Sequence, residues 1–195
     1  MHNSTISTMK EAKNTQNFIF ILVDNFSLIA FASAIEPLRL ANRMSEKTLY
    51  KWTVCSPLGR DETKCSNGTI VKTSKILPNV DRGDTIIVCG GTSISENSST
   101  ALLGWLRREA RKGVGIGGVC TGAYVLAKAG LLSNRKCTIH WENRESFLEE
   151  FPNLELSNHV FTIDKSRYCA AGGTASTDLI LSLISQYHGI ELSNL

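Results

Sequence analysis

Long apolar runs, paired cysteine motifs and an excess of charge are all missing from this sequence, and each absence excludes a class of function. No segment reaches the roughly 18–20 consecutive apolar residues that a membrane span needs. The polar stretch from Met1 to Gln16 lacks the apolar core of a secretory signal, so residues 1–16 are expected to be a flexible leader on a cytoplasmic protein. Six cysteines (Cys55, Cys65, Cys89, Cys120, Cys137 and Cys169) stand without CxxC or CxxH spacing. That pattern suggests neither a zinc site nor a redox pair, and no motif calls for a cofactor, so reduced thiols are expected. The 21 Lys and Arg exceed the 18 Asp and Glu by a formal charge of +3, too little and too scattered for a nucleic-acid surface. The densest basic patch, Arg107, Arg108, Arg111 and Lys112 around Glu109, has helical spacing and is expected to be a solvated helix face. Internal repeats and low-complexity linkers are also missing, and 195 residues suit one well-filled domain.

What the sequence does have is alternation. Phe18 to Val23 and Thr85 to Cys89 are continuous apolar runs, as expected for parallel strands buried on both faces. A helical pattern runs from Ser27 to Met44, with Pro37 expected to mark a kink or a helix start. Further strands are expected at Tyr50 to Cys55 and Val114 to Gly117, with a short hairpin before Ile70 to Thr73 through the Asn67-Gly68 turn. Short strands are expected at Cys137 to Ile139, Leu154 to Leu156, Val160 to Asp164 and Tyr168 to Ala170. Helices are expected at Ser95 to Lys112, Thr121 to Ala129, Glu142 to Glu150 and Ala175 to Tyr187. Strands alternating with helices predict an α/β, doubly wound, mostly parallel sheet.

Chemistry concentrates at Gly118-Val119-Cys120-Thr121-Gly122, where an apolar run gives way to an amphipathic stretch. Small residues two places on either side of a cysteine describe a nucleophile elbow. The helix that follows would aim its N–H groups at the sulfur and favour thiolate. The competing explanation is a glycine-rich turn around a small buried cysteine. Ligands in such sheets gather at the carboxyl ends of the strands. There the Asp24-Asn25-Phe26 turn and Gly90-Gly91-Thr92 are expected to meet the elbow, with Gly90 and Gly91 either offering oxyanion-type N–H donors or simply ending a strand. Glu36 and Arg39 have i,i+3 spacing, which an ion pair explains; with Asn42 they could instead shape a pocket entrance or a subunit contact.

Three segments carry a family resemblance: Ile35 to Asn42, Gly117 to Leu132, and Cys137 to Glu142, trailed by Ala171-Gly172-Gly173 and Asp178-Leu179. Over Phe18 to Gly189 the chain resembles the PfpI-like branch of the class I glutamine amidotransferase superfamily, and more closely the sensor half of AraC-family transcriptional regulators. The resemblance implies a flavodoxin-like sandwich with helices on both faces, a homodimer, and a C-terminal helix-turn-helix part that binds DNA. It implies a sensor domain over residues 17–190, and at 191–195 the start of a linker to a DNA-binding domain that this sequence does not contain. The partner expected of this part is a small-molecule effector, amino-acid-like or quaternary ammonium, with DNA contacted only by the missing part and no membrane involved.

The effector is expected to touch Cys120, Thr121, His140, Trp141, Gly90, Gly91 and Asn25. Trp141 would hold a methylated ammonium by cation–π attraction, and the elbow helix would receive a carboxylate. An alternative is a thiol-dependent enzyme, a hydratase, deglycase or amidohydrolase, with Cys120 as nucleophile and His140 as base. Active members of the superfamily carry an acid after the first strand, and its place here falls near Ala30. Peptidase-like members have a histidine after the nucleophile, where this chain has Thr121. Asp24 is the substitute acid on offer. A third reading is a redox sensor modified at Cys120.

Overall fold

The structure, a computed structural model, describes residues 15–195. The strands are β1 (Gln16–Leu22), β2 (Tyr50–Cys55), β3 (Glu62–Lys64), β4 (Ile70–Lys72), β5 (Thr85–Cys89), β6 (Gly115–Val119), β7 (Lys136–Cys137), β8 (Glu155–Leu156), β9 (Phe161–Asp164) and β10 (Arg167–Ala170). The helices are α1 (Leu28–Ser45), α2 (Ile94–Asn97), α3 (Thr100–Ala110), α4 (Gly122–Lys128), α5 (Arg144–Glu150), α6 (Ala175–His188) and α7 (Ile190–Ser193). Six strands form one sheet in the order β2-β1-β5-β6-β10-β9. Every pairing in it is parallel except that of β9 with β10.

The run in β1 is apolar throughout because the sheet is covered on both faces. Side chains alternate along a strand, so Ile19 and Ile21 join one core with Leu102, Leu106 and Leu126 of α3 and α4. Phe18, Phe20 and Leu22 join the other, with Leu38 of α1 and Leu179 and Leu183 of α6. Each such side chain buried contributes about 1.5–3 kcal/mol.

Pro37 neither starts nor ends a helix: α1 passes through it and continues to Ser45. A proline has no N–H for the carbonyl four residues back. That carbonyl, Ser33 O, instead accepts the Thr177 hydroxyl of α6 at 3.2 Å. Packing of α1 on α6 thus supplies the bond the sequence removed.

Other boundaries also moved. The helix expected from Ser95 to Lys112 is two helices, because the Ser99 side chain accepts the Leu102 N–H at 3.2 Å and caps a new start at Thr100. The segment from Glu142 begins as a 3₁₀ turn, Trp141–Asn143, before α5. β7 and β8 pair with each other outside the main sheet. The four basic residues of the patch, Arg107, Arg108, Arg111 and Lys112, are exposed as a solvated face requires, but the acid among them is not. Glu109 is fully buried and paired with Arg108 Nε at 3.0 Å and with Lys112 Nζ. Arg107 donates to the Ala129 and Lys128 carbonyls at 3.0 and 3.1 Å, closing the C-terminal end of α4.

The expected leader lies outside the described residues up to residue 14. Its last two residues are ordered, with Thr15 Oγ1 donating to Thr48 O at 2.9 Å and Gln16 opening β1. Among the described residues no helix is long and apolar enough to cross a membrane.

Candidate functional site

Cys120 sits between β6 and α4 with φ +58°, a left-handed conformation that costs a non-glycine residue about 1–2 kcal/mol. Three bonds hold the turn. Cys120 N–H donates to Ala170 O at 3.0 Å, Cys120 O accepts the His140 N–H at 3.3 Å, and Thr121 Oγ1 donates to Gly91 O at 2.7 Å. The elbow is glycine-bound through crowding: a Cβ on Gly122 would stand 2.1 Å from Val88 O. Gly172, with φ +102°, passes over the cysteine so closely that a Cβ there would lie 3.3 Å from its sulfur.

The sulfur is not the thiolate that the helix alone would favour. Burial pushes the Cys120 thiol above its ordinary value, and the nearby Glu142 carboxylate adds to that. The Thr121 N–H and the Ser27 hydroxyl, both bonded to sulfur, pull the other way without prevailing. The following helix has only seven residues, a small counterweight to desolvation.

Two cavities flank this turn. The one over Cys120 has a volume of about 370 Å³ and a mostly hydroxyl and backbone lining that includes Ser27, Ser66, Gly91, Thr121 and Glu142. Beside it lies a second, of about 490 Å³, lined among others by Trp141, Arg144, His159 and Thr174. His140 is the side chain they share. Its Nδ1 is 3.6 Å from Glu142 Oε2.

Of the residues singled out in the sequence, the structure gathers Cys120, Thr121, Gly91 and His140 around one cavity. Trp141 lines the other and is 71% exposed, its ring centroid 5.7 Å from that of His140. It is therefore not a wall of the Cys120 cavity. Gly90 is buried and Asn25 half-buried, and neither lines the Cys120 cavity. Gly90 N–H is spent on Val119 O at 3.2 Å, which removes it as an oxyanion donor. Asn25, itself left-handed at φ +62°, takes Lys64 O with its N–H at 2.9 Å and gives its carbonyl to Thr92 N–H at 3.1 Å, tying three loops together. Asp24 is engaged with Arg60 at 2.8 Å. Ala30 is fully buried in the aromatic core. Glu36 and Arg39 form the i,i+3 ion pair at 2.6 Å, while Asn42 clamps Tyr50 through two bonds of 2.8 Å.

The sequence profile of the DJ-1/PfpI family matches residues 18–186. The chain belongs to the DJ-1/PfpI family. Among curated relatives it is 41% identical over 181 residues to the HTH-type transcriptional regulator GbdR of Pseudomonas aeruginosa, covering 93% of this chain and 49% of that protein. It is 44% identical over 179 residues to the HTH-type transcriptional regulator CdhR of the same organism, covering 92% and 53%. The chain thus spans about half the length of these relatives. Among solved structures, an AraC family transcriptional regulator from Pseudomonas putida superposes with a TM-score of 0.81 at 28% identity, over 92% of this chain and 96% of that one.

Within this DJ-1/PfpI fold, sequence reasoning missed Ser27, Ser66, Asn143 and the placement of Glu142. Ser27 hides behind its other task, since its hydroxyl also accepts the Ala30 N–H and caps α1. Its only sequence signal is a position one turn ahead of Ala30.

Proposed function

We propose that this chain is the effector-sensing part of an AraC-family transcriptional regulator. On this reading a small metabolite binds over Cys120 without being turned over. One observation carries it: identity above 40% to two HTH-type regulators along more than nine-tenths of the chain. The site chemistry agrees. A buried thiol held protonated, with a hydroxyl and a methyl group at Ser27 and Ala30, has no carboxyl group on that side to exchange a proton with it. The sensor occupies residues 17–190, works as a cytoplasmic homodimer, and hands its state through residues 191–195 to a helix-turn-helix domain that contacts DNA. The effector is an amino-acid-like or quaternary ammonium compound whose cationic end lies near Glu142 rather than on Trp141.

A second reading, a thiol-dependent enzyme, draws on the strained Cys120 elbow and on His140 lining the same cavity. One experiment separates the two. The chain is melted with glycine betaine, L-carnitine or L-arginine while the solution is followed by NMR. The sensor reading expects a saturable rise in melting temperature with one compound and no change in that compound. Turnover that stops in Cys120→Ala would replace it with the enzyme reading, and no response to any of the three would remove this effector class.

A further inference from the structure

We propose that the 490 Å³ cavity beyond His140 is a second binding site, for a small organic carboxylate with an apolar body. It goes beyond the reading of the Cys120 cavity and rests on a different lining. Charge is the first argument. Arg144 faces the cavity beside two hydrogen-bonding imidazoles, His140 and His159, and among the described residues no Asp or Glu lines it. The neighbouring cavity has the reverse character: among the described residues lining it, Glu142 is the one Asp or Glu and no Lys or Arg is present. An anion is therefore favoured on one side of His140 and a cation on the other.

The second argument is the way Arg144 is held. Its Nη1 donates to Ser157 O and its Nη2 to Asn158 Oδ1, each at 2.7 Å. These bonds fix the guanidinium plane while using only two of its five N–H donors, so the group is pre-organised for an acceptor in the cavity. The 14-residue helix α6 also begins on this wall, at Thr174, whose side chain makes no capping bond. In its first turn the Ala175 and Thr177 N–H groups are taken by Gly172 O and Thr174 O, at 3.3 and 2.9 Å, and Asp178 adds a carboxylate, so the positive character of this wall rests on Arg144.

The third argument is apolar surface. Ile139, Val160, Ala171 and Ala175 share the lining with the broad, 71% exposed face of Trp141. An exposed indole beside aliphatic groups suits the hydrocarbon part of a ligand, and a bare inorganic anion would leave it wet. Binding sites of this size pair an apolar lining with a few polar groups that fix orientation.

The test uses the 195-residue chain with three probes at fixed ionic strength: benzoate, its neutral isostere benzamide, and inorganic phosphate. The readout is the indole N–H resonance of Trp141, assigned with Trp141→Phe. Benzoate is expected to shift this resonance saturably, with benzamide and phosphate each at least tenfold weaker. Arg144→Gln and His159→Gln are each expected to weaken benzoate several-fold. The second variant guards against a misfolded loop, because His159 is exposed and uses only its backbone N–H, to Ser157 Oγ at 3.1 Å. Benzamide equal to benzoate would overturn the proposal, as would phosphate equal to benzoate or unchanged benzoate affinity in both variants. A chain that ignores every zwitterion tested at Cys120 yet binds benzoate keeps this site and loses the other reading.

Discussion

Backbone frames the cavity over Cys120: a left-handed cysteine, crowded glycines and hydrogen bonds from three loops tied at Asn25. Side chains frame the cavity over Trp141, an exposed indole and an arginine propped on a loop. The first is rigid because each of its turns must be satisfied before the sheet can close. The second rests on groups that could be exchanged at little cost to the fold. The chain thus places a fixed chamber beside an adaptable one, with His140 between them.

The strongest way to break that contrast is Gly172→Val, since this glycine lines the adaptable chamber and also passes over the cysteine of the fixed one. Its positive φ and the missing space predict a loss of about 3 kcal/mol, or roughly 6–12 °C in melting temperature. A change below about 2 °C, well under that range, would mean that Gly172 does not join the two chambers.

A smaller effect sharpens the chemistry of the fixed chamber. With its thiol pushed up by burial, Cys120 is expected to be alkylated slowly at neutral pH, the rate climbing only above the ordinary thiol pKa of about 8.5. Ser27→Ala removes a donor that favours thiolate, so the climb should move to still higher pH, with alkylation at pH 8 about 3–10-fold slower. A faster rate would show that Ser27 shields the sulfur rather than polarising it. The same shift acts on stability. A thiol whose folded pKa is raised contributes fully below its unfolded value, and the contribution is lost as pH rises through the folded value. Cys55 and Cys137, pushed up to about 11, add to that alkaline weakness, which a denaturant series from pH 8 to pH 10 would register.

The smallest effect belongs to the adaptable chamber. Trp141→Ala should leave stability within about 0.5 kcal/mol, because the ring is mostly in water. A larger loss, read in urea, would make Trp141 a structural residue.

The two chambers also differ in how well sequence foretold them. β1, β5 and the Cys120 elbow were legible because a two-sided strand must be apolar throughout and a tight strand-to-helix turn must be glycine-rich. Glu109 was misread because helical spacing shows which residues share a face and not what covers it. β3, Glu62–Lys64, has no apolar pattern and exists through its pairing with β4. Trp141 was expected on the Cys120 cavity because it adjoins His140 in sequence; the two rings do stay in contact, centroids 5.7 Å apart, but of the two only His140 reaches both cavities. Local pattern reports elements; which side of a shared histidine a neighbour occupies depends on the loops that pack around it.

The bond between Thr177 and the carbonyl of Ser33 spans 144 residues. On a ribosome adding about 5–20 residues per second, α1 would emerge with that carbonyl unmatched and wait on the order of ten seconds for its donor. Until then water must serve it. Completion of the first helix is thereby tied to arrival of the last long one, and a nascent chain stalled before Thr177 would leave the Ser33 carbonyl beside Pro37 to water.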